Sequence, residues 1–223
     1  MKLYYAPASS YSQRVLIALY EKDVKFTPIE VNLFDSESRE IYRQINPFGK
    51  IPTLLTDEDS VLFEASIILE YLDKSFPHHC RLIPEDSQQA LEVRLLERMV
   101  DVYVNTGREA LFRDRQRPEA ERNGKEVAKP KRLLETALIL FEQKLANRTW
   151  LAGDEFSLAD CAAAPTLTYL RMVYDYGYLA NLTSYVRRLQ ARASVAKVFN
   201  SGREQMTRML SELRYPLELV PII

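Results

Sequence analysis

The stretch that most constrains the fold runs from Asn46 to Leu72. It reads N-P-F-G-K-I-P-T-L-L, then a short acidic turn, then V-L-F-E-A-S-I-I-L-E-Y-L. Ile51-Pro52 interrupts a strand-like run, and proline within a strand belongs at an edge, an end or a tight bend. Glu64 stands where the apolar strand Val61 to Phe63 hands over to a helix whose apolar face is Ile67, Ile68, Tyr71 and Leu72. A helix start offers free backbone N–H groups and the positive end of its dipole, which suits an anion. An extended edge followed by such a start can hold a small peptide with an acidic end.

The rest of the chain supplies a mixed sheet and then helices. Lys2 to Tyr5 reads as a strand ended by Pro7, and Tyr11 to Lys22 as a helix with Val15, Ala18 and Leu19 on one face. Lys25 to Val31 reads as a second strand and Ser36 to Gln44 as a short helix. Ile51 to Thr56 and Val61 to Phe63 flank Asp57-Glu58-Asp59-Ser60 as a hairpin, and Ala65 to Phe76 is a third helix. Pro77 to Asp86 has no periodicity and reads as a linker. Beyond it strand signals vanish. Long helices are expected over Ser87 to Phe112, Leu133 to Leu145, Leu158 to Tyr174, Leu182 to Ala193 and Val195 to Leu213. The charged stretch Arg113 to Arg132 reads as a solvated loop and helix start. Ser157-Leu-Ala-Asp160 forms a capping box, with Phe156 and Cys161 at hydrophobic-staple positions, and makes Asp160 structural. The apolar tail Tyr215 to Ile223 is expected to pack over a groove.

Charge and cysteine content narrow the function classes. Thirty basic residues face 31 acidic ones, for a net charge of -1, so no global field favours nucleic acid or an anionic membrane. No run is long and apolar enough for a membrane span. Two cysteines far apart, Cys80 and Cys161, argue against a disulfide framework and for a reducing cytoplasm. The cluster His78-His79-Cys80 reads as solvated linker; three adjacent ligands without a spaced fourth do not make a metal site.

Three strings in register, N-P-F-G-K-I-P-T-L, F-E-x-x-I-I-x-E-Y-L and L-A-G-D-E-F-S-L-A-D, resemble those of glutathione S-transferases. The closest likeness is to bacterial-type, serine-dependent members with theta, phi and zeta features. The resemblance implies a thioredoxin-like α/β domain over residues 1–76, a linker over 77–86 and an all-α helical-bundle domain over 87–223. It also implies glutathione as co-substrate, no metal, a small hydrophobic electrophile, a homodimer and a role in detoxification.

Site residues follow from the same resemblance. Ser9 takes the place of the serine that faces the glutathione sulfur, and Ser10 the place of the cysteine of another class. No cysteine stands in this loop. A free thiol near pH 8.5 is only a few per cent thiolate at neutral pH, so a hydroxyl donor and the start of the first helix would stabilise the anion. Ser9 or Ser10 could equally serve as helix N-cap. Tyr4, Tyr5 and Tyr11 are competing donors. Ile51 takes the position whose backbone pairs with the cysteinyl group, after which Pro52 is expected cis. Lys50 would meet the glycine carboxylate and Glu64 the γ-glutamyl amine. Ala65 replaces the usual hydroxyl residue, and Ser66 is rotated away by about 100°. Tyr11, Tyr103, Phe112 and Tyr169 are candidates for the electrophile pocket, with helix packing as the alternative for each. Asp101 could reach a γ-glutamyl amine across a dimer, or serve only at the surface or as a cap. The activity expected is conjugation. A zeta-like cis–trans isomerase and a non-catalytic binding scaffold are the alternatives; the first is supported by S-S-x-S-x-R-V and the second by Ala65.

Overall fold

The computed structural model describes residues 1–78 and 80–218; His79 and the end of the expected tail lie outside the described residues. Four short strands form one mixed sheet in the order β2-β1-β3-β4. β1 (Lys2–Tyr5) runs parallel to β2 (Thr27–Glu30) and antiparallel to β3 (Thr53–Leu55), which pairs antiparallel with β4 (Val61–Phe63). The acidic hairpin closes as expected: Thr56 N–H donates to the Ser60 carbonyl, and Asp59 takes a left-handed φ of 57°. Leu3 and Leu54 face each other across β1 and β3 and are fully buried.

Helices cover the sheet. α1 (Ser10–Glu21) and α3 (Ala65–Ser75) pack together, while α2 (Ser36–Arg43) buries only Tyr42. α1 was expected to bury one face. Instead Ser10 and every residue from Ser12 to Leu19 are buried, because a helix of the second half, α7 (Leu158–Leu170), packs on its other side. α1 is therefore the shared wall between the sheet and the bundle.

The second half is entirely helical among the described residues. α4 (Ser87–Met99) continues through a π-helical turn, Val100–Asn105, into α5 (Thr106–Arg115). The expected single helix is thus one path with a widened turn, a feature that redirects side chains and is frequent at functional sites. α6 runs over Gly124–Leu145, and a 3-10 turn (Glu119–Glu121) precedes it. α6 thus starts well before the expected Leu133, within the stretch 113–132 read as a solvated loop and helix start, and takes up more of that stretch than a start alone. Asn123 Oδ1 caps the Lys125 and Glu126 N–H groups, so the helix begins well before Pro130 and passes through it. α7 (Leu158–Leu170) ends four residues earlier than expected, in tightened i→i+3 bonds from Met172 and Val173. α8 (Ala180–Ala191) and α9 (Ala193–Ser211) differ from expectation by two residues at each end, an ordinary margin.

Asp160 is fully buried at the start of α7. Its carboxylate accepts from the N–H groups of Leu151 and Ser157 and from the hydroxyls of Ser157 and Tyr185. Burial raises its pKa, and these four donors oppose the shift. Within the segment 77–86, expected as a linker, His78 is exposed, but the segment is not solvated throughout. Leu82 and Ile83 are buried, and the Asp73 carboxylate accepts their N–H groups at 2.7 and 3.2 Å. Asp73 also meets the fully buried Lys22, whose Nζ donates to the Cys80 carbonyl as well. A buried ammonium needs such partners, and satisfying it pins the segment to the sheet domain.

Candidate active site

Two clefts meet beside the start of α1. One, of about 520 Å³, is lined by Lys50, Ile51, Pro52, Glu64, Ala65 and Asp101. The other, of about 490 Å³, is lined by Ser9, Ser10, Phe112, Tyr169 and the apolar side chains of Met172, Met206, Met209 and Leu210. Tyr11, Leu33, Ile51 and Glu109 belong to both. The first is lined by polar and apolar surface in about equal shares, and the second is mainly apolar.

The edge of the polar cleft is built by residues 42–53. Asn46 is buried; its Nδ2 donates to the Lys50 carbonyl (2.8 Å) and to Thr53 Oγ1 (3.0 Å), and its Oδ1 accepts the Phe48 N–H. Tyr42 Oη donates to the same Lys50 carbonyl. Gly49 turns the chain at φ 59°, and the Ile51-Pro52 peptide is cis. These bonds hold Lys50 and Ile51 at the rim while Pro52 and Thr53 are buried.

β4 hands over to α3 through Glu64, whose φ of 71° and ψ of 114° lie in the left-handed half of the map. A non-glycine residue there is strained unless the surroundings over-determine it, and such residues cluster at binding sites. No side chain caps α3. Ala65 follows at the wall of the cleft, and Ser66 turns away: its Oγ donates to Glu97 Oε1 at 2.6 Å on α4.

The start of α1 is different. Ser9 is its N-cap, and Ser9 Oγ accepts the Ser12 N–H at 3.3 Å. The preceding turn is held from α9, where Gln205 Oε1 accepts the Ala8 N–H at 2.8 Å. Gln13 Nε2 donates both to the Pro7 carbonyl and to Tyr169 Oη. Burial pushes the phenols of Tyr11 and Tyr169 up to about 12.

Sequence models of the glutathione S-transferase N-terminal and C-terminal domains match residues 3–80 and 99–194. A stringent starvation protein A homolog of Coxiella burnetii is 33% identical over 75% of this chain and 74% of its own. The chain belongs to the glutathione S-transferase family. A glutathione S-transferase of Methylobacillus flagellatus, solved with glutathione bound, is 30% identical with a TM-score of 0.80, over 88% of this chain and 98% of its own. Another, from Methylobacterium radiotolerans in complex with glutathione sulfonate, is 32% identical with a TM-score of 0.77, over 88% and 93%.

Within this glutathione S-transferase the structure brings Lys50, Ile51, Pro52, Glu64 and Ala65 to one cleft, and Ser9, Ser10, Tyr11, Phe112 and Tyr169 to its neighbour. Tyr103 joins neither. It lies on the π turn, 39% exposed, because the widened turn directs Asn105 rather than Tyr103 toward Tyr11. Asp101 lines the polar cleft of its own chain and is paired with Arg14 at 3.0 Å and Arg98 at 3.3 Å. Tyr4 and Tyr5 line neither cleft.

Several residues around the site were not singled out from the sequence. Arg14, 1% exposed, reaches Asp101 and Thr166 and stacks 4.3 Å above the Tyr11 ring. Its signal was a lone cation beside the apolar run Val15 to Leu19. Asn105 donates to Tyr11 Oη at 2.8 Å and to Glu109. Glu97 beside them is buried, which raises its pKa.

Proposed function

We propose that this glutathione S-transferase family member attaches the thiolate of glutathione to a small hydrophobic electrophile. The observation that carries the reading is the junction of a polar and an apolar cleft at the N-terminus of α1, with Ser9 in the wall. Glutathione would lie along Ile51 with its γ-glutamyl end at α3, where backbone N–H groups have no cap; Glu64 would accept from the amine and Lys50 would face the glycine carboxylate. Ser9 can cap and serve the sulfur together. A hydroxyl has two acceptor lone pairs and one proton; the cap uses an acceptor, so the proton is free to be donated to a thiolate. Lowering the thiol pKa by about two units needs roughly 2.7 kcal/mol of preferential stabilisation. The dipole of α1 supplies part of it, and no acidic residue in the first turn opposes it. Serine acts here as donor, since no base is placed to make it a nucleophile.

The reading includes a sheet domain over 1–76, a tethering segment over 77–86 and a helical domain over 87–223. It includes a homodimer, supported by the exposed apolar side chains Ile67, Leu91, Leu95 and Val102 on α3, α4 and the π turn. Two free thiols support a cytoplasmic setting; among the described residues no helix is long and apolar enough to cross a membrane. The scaffold reading is favoured by Ala65 and by a relative named for stringent starvation. Calorimetric titration with glutathione, followed by an absorbance assay with a chlorodinitrobenzene, separates the two. Binding with product formation is expected. Absence of glutathione binding would leave the scaffold.

A further inference from the structure

Among the described residues, the apolar cleft is lined by one cation, and that cation has no ion-pair partner. Arg108, on α5, lines the wall that also carries Ser9, Tyr11 and Tyr169. Its Nε and Nη2 donate to a single neutral acceptor, Asn105 Oδ1, at 3.0 and 2.7 Å. A guanidinium has five N–H donors in a fixed fork. The two on Nη1 and the second on Nη2 meet no acceptor among the described residues, and no carboxylate among them lies within 4.0 Å of this guanidinium. The nearby charges are already matched. Glu109 Oε2 takes Arg113 at 2.8 Å and its Oε1 takes Asn105, while Asp101 takes Arg14 and Arg98. Packing around Arg108 disfavours its charge and lowers its pKa; the nearby charge of Glu109 opposes this shift, and the like charge of Arg14 adds to it.

Arg108 is half-buried, so its free N–H groups open into the cleft, and holding a partly desolvated cation there without an anionic partner costs stability unless water or a ligand answers it. Asn105 is itself buried and fixed by Tyr11 and Glu109, so the fork is held in place before any ligand arrives. We propose that the apolar cleft takes an apolar molecule bearing a carboxylate, and that Arg108 is the residue that selects it. One uncompensated positive charge fits a monoanion better than a dianionic phosphate ester, and the fork matches the two oxygens of a carboxylate. The inference rests on the transferase reading for calling this molecule the second substrate, which becomes an apolar carboxylic acid whose electrophilic carbon lies toward Ser9. The carboxylate anchors the molecule and takes no part in bond formation.

The test uses the whole chain and two probes of the same shape, 4-phenylbutanoate and its neutral amide, titrated calorimetrically at pH 7.5 and fixed ionic strength. The acid should bind at least about tenfold more tightly than the amide, as a hydrogen-bonded charge pair in a partly desolvated cleft implies. Arg108→Gln should bring the acid down to the affinity of the amide, and Arg108→Lys should restore part of the preference. Equal binding of the two probes by the natural chain, failure of both to bind, or an acid preference that survives in Arg108→Gln would each overturn the proposal. The comparison on the natural chain decides even if the variants do not fold. Neither probe requires glutathione. Acid preference in a chain that fails to bind glutathione would therefore uphold the carboxylate site while removing the transferase reading.

Discussion

Two helix starts face the same pair of clefts, and they are built in opposite ways. α1 is closed on itself: Ser9 caps it, Gln205 holds the Ala8 N–H, and Gln13 ties Pro7 to Tyr169. α3 is left bare: no side chain caps it, Glu64 sits at φ 71°, Ala65 offers no hydroxyl, and Ser66 is spent on Glu97. The first four N–H groups of any helix lack intrahelical partners. Satisfying one of them locally, as Ser9 does for the Ser12 N–H, and bracing the preceding turn makes a platform for a donor aimed elsewhere. Leaving them open keeps a seat for an external anion. On the conjugation reading proposed above, the open start would hold the charged end of the peptide and the closed start would act on its sulfur.

The closed start depends on α9, and Gly202 is where that dependence is tightest. A Cβ at Gly202 would stand 2.4 Å from the Pro7 carbonyl oxygen and 2.9 Å from its carbon. Both are backbone atoms, so either α9 or the Pro7–Ser9 turn must move. Gly202→Ala should cost about 1–3 kcal/mol of stability, the range for overpacking, and lower the melting temperature by a few degrees. Turnover should fall with it while glutathione affinity holds, because the open start is untouched. Gly124→Ala is the control: nothing lies within 4 Å of a Cβ there. Equal melting temperatures for Gly202→Ala and the natural chain would break the claim that α9 positions Ser9.

The two starts were not equally legible. The open one is written locally: Ile51-Pro52, the hairpin and Glu64 follow one another within fourteen residues, and period and turn chemistry place them. The closed one is half written. Ser9 and Ser10 could be read as cap or donor, but Ala8 and Gln205 are 197 positions apart, and no local pattern pairs them. Arg108 was not singled out because it falls inside the expected helix Ser87 to Phe112, where no local pattern says that its guanidinium faces a cleft built from distant elements. The start of α6 was missed because Pro130 and the charges around it outweighed the cap at Asn123. Lys22 was missed because burial of an ammonium depends on Asp73, which arrives from another helix.

Ala65→Ser sharpens the comparison from the other side by partly closing the open start. If a ligand carboxylate sits there, the added hydroxyl should tighten glutathione about tenfold, near 1.4 kcal/mol, within what a hydrogen bond to a charge allows. Melting temperature must be followed in parallel, since serine at a helix start can stabilise without ligand. An unchanged affinity would mean that another group already holds the carboxylate. Ser9→Ala opens the closed start instead. Loss of the cap should cost about 1 kcal/mol. The midpoint of the bound thiol, followed by thiolate absorbance, should rise while affinity changes little. A lower stability with an unmoved midpoint would make Ser9 a cap alone.

The smallest expected effect concerns Tyr169, which buttresses the closed start through Gln13. Its phenol titrates at about 12 because it is buried, against an ordinary value of 10.0. The folded chain therefore keeps this proton at pH values where the unfolded chain has lost it. The stability it contributes is complete below about pH 10 and disappears as pH rises toward 12. Tyr169→Phe should flatten that part of the alkaline stability curve and remove a late step from the 295 nm absorbance titration. At neutral pH it deletes one hydrogen bond while Gln13 keeps Pro7, so the loss should sit at the low end of about 0.5–1.5 kcal/mol. The pH–rate profile below pH 9 should not move, since neither Tyr169 nor Tyr11, also at about 12, ionises there. A profile displaced by half a unit or more in Tyr169→Phe would assign the donor to a tyrosine instead of Ser9, and the closed start would then be a support and not a catalytic element.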